Sequence, residues 1–185
     1  MIWFTSDTHF NHANIIEYTN RPFANVDEMN QELIRRWNEI VSPEDTIYHL
    51  GDVTLEGWKT AQKFLNQANG KIFIVPGGHD HRWINEYHKL RTLLPNLTIL
   101  NNLFSLSLDM GGKHPEIWAL CHYALRTWDR SHYGSFHLYG HPHGTLPPLG
   151  RSLDVSVECW DYTPVSITTL RDKLLTMPIH NPVTQ

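Results

Sequence analysis

Short apolar runs alternate with segments of helical periodicity in the first half of the chain. Two segments repeat apolar residues three or four positions apart, which predicts amphipathic helices at residues 27–41 and 56–67. The apolar runs around them predict strands at residues 1–6, 46–50 and 71–75. This β-α-β-α-β order favours parallel strands joined by right-handed crossovers. The first half is therefore expected to form a largely parallel sheet.

The apolar runs of the second half are shorter, and they predict a second, more antiparallel sheet. Runs at residues 103–108 and 117–121 flank a glycine-containing turn at 109–113, which is typical of a hairpin. The remaining strands of this sheet are predicted at residues 136–139, 153–157 and 164–167. A helix at residues 168–175 follows, with Leu170 and Leu174 on one face.

These elements predict one domain of the α/β (α+β) class over residues 1–185, with a frayed tail at 176–185. Each sheet has an apolar face to bury, and two sheets packed face to face with helices outside each accomplish this. The expected architecture is a four-layer α-β-β-α sandwich, in which two packed mixed sheets are flanked by helices.

Composition narrows the classes of partner. The chain has 185 residues, 41% hydrophobic and 18% charged, which is ordinary for a globular protein. A formal net charge of −4 without basic clusters argues against a groove for duplex nucleic acid. The separated cysteines Cys121 and Cys159 form no CxxC motif and fit a reduced, cytoplasmic setting. We expect no signal peptide, membrane span or membrane partner, because no apolar run is long enough.

Potential metal ligands follow the predicted strands. Five segments carry them, namely Asp7-Thr8-His9, Gly51-Asp52, Gly77-Gly78-His79-Asp80, His122 and Gly140-His141-Pro142-His143. Side chains just past strand ends converge on one edge of an open α/β sheet. Carboxylates with imidazoles bind divalent ions such as Mn, Fe, Ni or Zn. The pattern predicts a metal-dependent hydrolase with a two-ion centre. The alternative is that these residues only cap helices or form turns.

The five segments also resemble a known family. Their order matches the DxH, GD, GNH(D/E), H and GHxH motifs of the calcineurin-like metallophosphoesterases, and the resemblance covers nearly the whole chain. The closing stretch at residues 154–166 is similar to the end of a small bacterial and phage subgroup. The resemblance implies the metallophosphoesterase fold and a phosphoric ester hydrolase with two divalent ions, manganese favoured.

The resemblance also implies a distribution of ligands. One ion would be held by Asp7, His9 and His143, the second by His122 and His141, and both by a bridging Asp52. A metal-bridging hydroxide would then attack phosphorus. His79 corresponds to the family's histidine beside the phosphate, and Asp80 is expected to orient its imidazole. The alternative for this pair is a solvated turn.

One position departs from the family pattern. Gly78 stands where the family has an asparagine whose amide oxygen is a ligand of the second ion. We therefore expect a weaker second site and reduced turnover, with His81 as a speculative substitute. Two further candidates for substrate contacts are His12 and Arg126, each with the alternative of an ordinary surface residue.

The sequence therefore favours hydrolysis of phosphodiester bonds in a small phosphorylated molecule or nucleotide. Phosphomonoesters and cyclic nucleotides stay open as substrates. Two alternatives also stay open: a catalytically impaired binding or scaffold protein of the same fold, which Gly78 suggests, and a nuclease of the same family.

Overall fold

The computed structural model describes residues 1–182, and its first sheet is mainly parallel. The strands are β1 (Ile2–Thr5), β2 (Thr46–His49), β3 (Lys71–Ile74), β4 (Leu97–Ile99) and β9 (Val165–Ser166). They lie in the order β4-β3-β2-β1-β9, and only β9 runs antiparallel to its neighbour. The three strands expected in the first half are therefore confirmed, together with their parallel pairing.

Helices cover one face of this sheet. They are α1 (Asn14–Tyr18), α2 (Val26–Ile40), α3 (Trp58–Leu65), α4 (His81–Ile84) and α5 (Tyr87–Leu93). Helix α2 begins at Asn25, whose side chain accepts a hydrogen bond from the Glu28 backbone N–H, and it buries Met29, Leu33 and Trp37. The apolar spacing thus identified α2 and α3, whereas the short α1, α4 and α5 lack a clear helical pattern.

The second sheet contains β5 (Leu103–Leu108), β6 (Glu116–Cys121), β7 (Phe136–Tyr139) and β8 (Ser152–Asp154), in that order. The β5–β6 hairpin is confirmed, but β6–β7 and β7–β8 are parallel, so the expectation of a more antiparallel sheet was wrong. The connections between the parallel strands are about a dozen residues long, which suffices for a crossover. The strand expected at 164–167 pairs instead with β1 of the first sheet. The strand expected at 153–157 ends at Asp154.

A shared apolar cluster packs the two sheets together. Phe4 and Leu50 of the first sheet meet Trp118 and Leu138 of the second, and all four are fully buried. Helix α6 (Ile167–Leu175) adds Leu170 and Leu174 to the same cluster. The structure therefore has the two packed mixed sheets with helices that the sequence predicts.

The segment that leads to His180 is more ordered than expected. His180 is buried, its ring stacks on Trp128 at 5.6 Å between centroids, and its Nε2 donates to the Arg126 carbonyl at 2.8 Å. The frayed tail expected at 176–185 is thus wrong as far as His180, and residues 183–185 lie outside the described part. Within residues 1–182, no helix is both long and apolar enough to cross a membrane.

Candidate metal centre

Six side chains that the sequence singled out form two groups at the carboxyl ends of the strands. The first group contains Asp7, His9 and His143, and the second contains Asp52, His122 and His141. In each group the ligand atoms lie within 4.8 Å of one another. Asp7 and Asp52 follow β1 and β2 of the first sheet, whereas His122 and His141 follow β6 and β7 of the second. The carboxyl ends of the two packed sheets therefore meet at the centre.

The backbone at these residues is unusual. Five of the six have left-handed φ values, namely Asp7 (57°), His9 (49°), Asp52 (58°), His141 (75°) and His143 (47°). Such conformations are uncommon for residues with a side chain, and they cluster at functional sites, where the surrounding structure enforces them. The strands before Asp7, Asp52 and His141 therefore end in a sharp bend that turns the next side chain towards the centre.

Two glycines allow the loops to approach the carboxylates of Asp7 and Asp52 closely. A Cβ at Gly140 would lie 2.3 Å from Asp7 Oδ2, and a Cβ at Gly77 would lie 2.2 Å from Asp52 Oδ1. Both distances are far below any normal contact, so only glycine fits at these positions. The glycine of the GHPH segment and the first glycine of the GGHD segment are thus explained by backbone packed against the two carboxylates.

The Asp7 carboxylate is fixed by one oxygen and exposes the other to imidazoles. Asp7 Oδ2 accepts hydrogen bonds from Ser156 Oγ at 3.0 Å and from the His141 backbone N–H at 2.9 Å. Asp7 Oδ1 lies 3.7 Å from Nε2 of both His9 and His143. Burial acts to raise the pKa of Asp7, but the surrounding imidazoles outweigh it and hold that pKa below its usual range.

Two residues that the sequence analysis missed support the first group. His143 Nδ1 lies 2.9 Å from Glu158 Oε1, and Glu158 forms an ion pair with Arg21 at 2.6 Å. The Arg21 guanidinium also donates to the backbone carbonyls of Asp7 and Thr8. A carboxylate that accepts from Nδ1–H leaves Nε2 free as a metal ligand and increases its basicity. Glu158 lies in the closing stretch that resembles the family, which was the available signal.

The second group is oriented in a similar way. His122 Nδ1 donates to the Leu50 carbonyl at 2.7 Å, which leaves His122 Nε2 facing Asp52 Oδ2 at 3.4 Å. Burial lowers the pKa of His122, but the carboxylates of Asp52 and Asp7 outweigh it and raise that pKa to about 9. Asp52 Oδ2 also lies 3.8 Å from His9 Nε2, so this one oxygen faces both groups.

Several buried atoms at this edge have no hydrogen-bond partner among the described residues. They include Asp7 Oδ1, His122 Nε2 and both ring nitrogens of His9. Buried polar atoms are normally paired, and an unpaired cluster of carboxylate and imidazole donors is the set that divalent ions bind. The residues present therefore fit two metal ions, although their assignment as ligands stays a prediction.

Comparison with known proteins identifies the family to which this sequence belongs. Residues 1–167 match the sequence profile described as calcineurin-like phosphoesterase. The chain belongs to the calcineurin-like phosphoesterases. This family is metal-dependent and acts on phosphorylated substrates, so the recognised resemblance is confirmed and the chain is assigned to the metal-dependent phosphoesterases.

Relatives of this phosphoesterase occur in archaea and phages. It is 38% identical over 172 residues to an uncharacterized protein of Methanocaldococcus jannaschii, covering 90% of this chain and 86% of that one. It is 27% identical to the gene 66 protein of Mycobacterium phage D29, covering 86% of this chain and 88% of that protein.

Two solved structures share the fold. One is a protein of unknown function from Aquifex aeolicus, with a TM-score of 0.66 at 22% identity, covering 94% of this chain and 98% of that one. The other is a novel archaeal phosphodiesterase, with a TM-score of 0.52 at 18% identity, covering 84% of this chain and 81% of that one.

His79 lies at the mouth of the centre. Its backbone N–H donates to Asp52 Oδ1 at 2.9 Å, and its Nε2 lies 3.8 Å from Asp52 Oδ2. The ring centroid is 5.6 Å from that of His9, and half of the side chain is exposed. His79 is therefore anchored through its backbone beside both groups, while its imidazole is accessible from solvent.

Asp80 does not orient the His79 imidazole, so this part of the sequence interpretation needs correction. Its two oxygens accept four hydrogen bonds, from the Asp52, Val53 and Gly77 backbone N–H groups and from Trp83 Nε1, all within 2.8–2.9 Å. Four donors occupy the accepting positions of a carboxylate. Asp80 is fully buried and ties the loop after β2 to the loop after β3.

Of the remaining candidates, His12 borders the centre and His81 does not. The His12 ring is 5.5 Å from that of His9, with a buried and unpaired Nδ1, so it borders the first group. Arg126 is exposed. His81 Nδ1 lies 3.0 Å from the Gly78 carbonyl and joins neither group, which removes the support for His81 as a substitute ligand.

Replacing Glu158 with glutamine is expected to weaken metal binding at the first group by about 10–100-fold. The carboxylate that increases the basicity of His143 and pairs with Arg21 would become neutral. Manganese titration of the metal-free protein by calorimetry measures this. Glu44→Gln, at an exposed position, is the matched control and should bind as the unchanged protein does. Equal affinities in the two variants would contradict a supporting role for Glu158.

Proposed function

We propose that this protein is a phosphodiesterase that uses two divalent ions, manganese first among them, to hydrolyse small phosphorylated molecules such as nucleotides. The observation that carries the proposal is the position of Asp52 Oδ2. It lies 3.4 Å from His122 Nε2 in one group and 3.8 Å from His9 Nε2 in the other. A carboxylate oxygen that faces two ligand groups is suited to hold two ions about 3.5–4 Å apart.

The ligands divide between the ions as the two groups do. Asp7, His9 and His143 would hold one ion, His122 and His141 would hold the other, and Asp52 would serve both. Bound ions lower the pKa of water and neutralise the charge that develops on the phosphoryl oxygens. The rest of the chemistry falls to side chains at the mouth of the centre.

His79 is the group best placed to assist the leaving oxygen. In the proposed reaction the oxygen of water bonds to phosphorus while the bond from phosphorus to the ester oxygen breaks. His79 donates its ring proton to the departing oxygen, one proton of the attacking water passes to solvent, and His79 is then reprotonated. Its exposed imidazole and its backbone anchor on Asp52 Oδ1 support this role.

The choice of substrate class rests on charge and on fold. The net charge of −4 disfavours duplex nucleic acid, so a nuclease is the less favoured alternative, and a steep salt dependence of DNA cleavage would restore it. The shared fold with an archaeal phosphodiesterase is the reason to test diesters before monoesters and cyclic nucleotides. Free Cys121 and Cys159 support the proposed cytoplasmic setting.

Gly78 favours a second candidate, a catalytically impaired binding protein of the same fold. Without a side chain at this position the second group contains three protein ligands. Hydrolysis of a generic aryl phosphodiester with added manganese, measured together with bound metal per chain, separates the two candidates. Turnover with about two ions supports the enzyme. Absence of turnover despite bound metal would support the binding protein.

His79→Gln is expected to lower kcat for the aryl diester by about 10²–10³-fold with the metal content unchanged. The variant removes the proton donor and keeps the backbone anchor on Asp52. His88→Gln, on an exposed part of α5, is the control and should keep full activity. If both variants turn over at the original rate, His79 does not act as the acid.

A further inference from the structure

Nothing in the backbone requires glycine at position 78. Its φ lies outside the left-handed region, so a residue with a side chain fits the local conformation. A Cβ placed there would have one neighbouring atom within 4 Å, the Tyr123 hydroxyl oxygen at 3.0 Å. The space next to Gly78 is therefore bordered by this phenol.

Tyr123 also touches the second metal group. It directly follows His122, and its ring centroid lies 4.9 Å from that of His122 and 4.9 Å from that of His141. Both contacts are edge-on, with interplanar angles of 77° and 67°. The phenol thus lies beside two of the three members of the group, and its side chain is 48% exposed, so it can adjust.

The Tyr123 hydroxyl occupies space that an asparagine side chain at position 78 would need. In asparagine the amide oxygen is about 2.4 Å from its own Cβ, as standard bond lengths require. The Tyr123 oxygen is 3.0 Å from the Cβ position of residue 78. A contact of 3.0 Å between a Cβ and an oxygen is already tight, so an asparagine side chain at position 78 and the Tyr123 hydroxyl would crowd each other. Each of the two oxygens is a hard donor that suits a divalent ion such as manganese.

We propose that the Tyr123 hydroxyl supplies the oxygen that completes the second metal group, and that Gly78 makes room for it. This inference rests on the proposed two-ion function and identifies the source of the fourth protein ligand. Tyr123 and Gly78 then form a compensating pair. The second site is complete rather than weakened, and a single Gly78→Asn change brings no gain, because amide and phenol exclude each other.

A double-mutant cycle tests the pair by manganese titration without substrate. Tyr123→Phe is expected to raise the Kd of the second site at least about tenfold and to leave the Kd of the first site unchanged. Gly78→Asn should bind no more tightly than the unchanged protein. The double variant should return to within about threefold of it, a strong departure from additivity. Tyr133→Phe, on a tyrosine that is 80% exposed, is the control and should have no effect.

The outcomes separate this inference from the proposed function. If both sites keep their Kd in Tyr123→Phe, the inference is overturned, and a raised KM for the diester in that variant would instead make Tyr123 a substrate contact. A tighter second site in Gly78→Asn alone also overturns it. If the unchanged protein binds two ions but hydrolyses no phosphodiester, the proposed function fails while the cycle still decides the role of Tyr123.

Discussion

Asp52→Asn is expected to lower kcat/KM for an aryl phosphodiester by at least about a thousandfold, the largest effect of any substitution proposed for this protein. The substitution keeps the size of the side chain and an oxygen that can accept from the His79 N–H. It removes the negative charge from the oxygen that faces His9 and His122. Because that oxygen serves both groups, we expect both ions to bind more weakly.

Metal content and activity are measured on the same preparations, so that loss of metal can be distinguished from loss of chemistry. Asp172→Asn makes the same chemical change at an exposed position of α6 and should match the unchanged protein in both readouts. Circular dichroism checks that each variant is folded. An Asp52→Asn protein that holds two ions and keeps a rate within tenfold of the original would refute a shared carboxylate.

Local patterns were sufficient to locate the candidate ligands. Asp7, Asp52 and His122 each follow a recognisable strand, and the carboxyl ends of parallel strands from the two packed sheets meet at the centre. The sequence therefore indicated which side chains would meet without any knowledge of distances. Their left-handed backbone was not predicted, because the bend depends on loops that pack against each other across Gly77 and Gly140.

Contacts between distant segments could not be predicted from the sequence. Arg21 and Glu158 are 137 positions apart, and neither lies in a motif that suggests the other. The same holds for β9, a two-residue strand whose pairing with β1 is decided by the tertiary fold. Short elements of this kind contain too few residues for a pattern, so packing determines where they lie.

Asp80 shows how proximity in sequence can mislead. Its neighbour His79 was the natural partner on the basis of spacing, yet the backbone donors at Asp52 and Val53 are 28 and 27 positions earlier. The Asp80 carboxylate already accepts hydrogen bonds from four donors, so its removal is expected to destabilise the fold. Three of the four are buried N–H groups and the fourth, at Gly77, is partly buried, and all four would lose their acceptor if the side chain were removed.

Asp80→Ala is therefore expected to lower the free energy of unfolding by on the order of 4 kcal/mol, since it leaves buried donors unpaired and opens a cavity. The donors are the backbone N–H groups of Asp52, Val53 and Gly77 and the Trp83 indole. Urea unfolding of metal-free protein measures this, because bound metal would otherwise add its own stabilisation.

Asp109→Ala is the matched control: Asp109 is exposed and accepts one turn hydrogen bond, from the Gly111 N–H. We expect the control to change stability by less than about 1 kcal/mol. If Asp80→Ala were as stable as the control but slower in hydrolysis, Asp80 would act on His79, and the structural role assigned to it would be wrong.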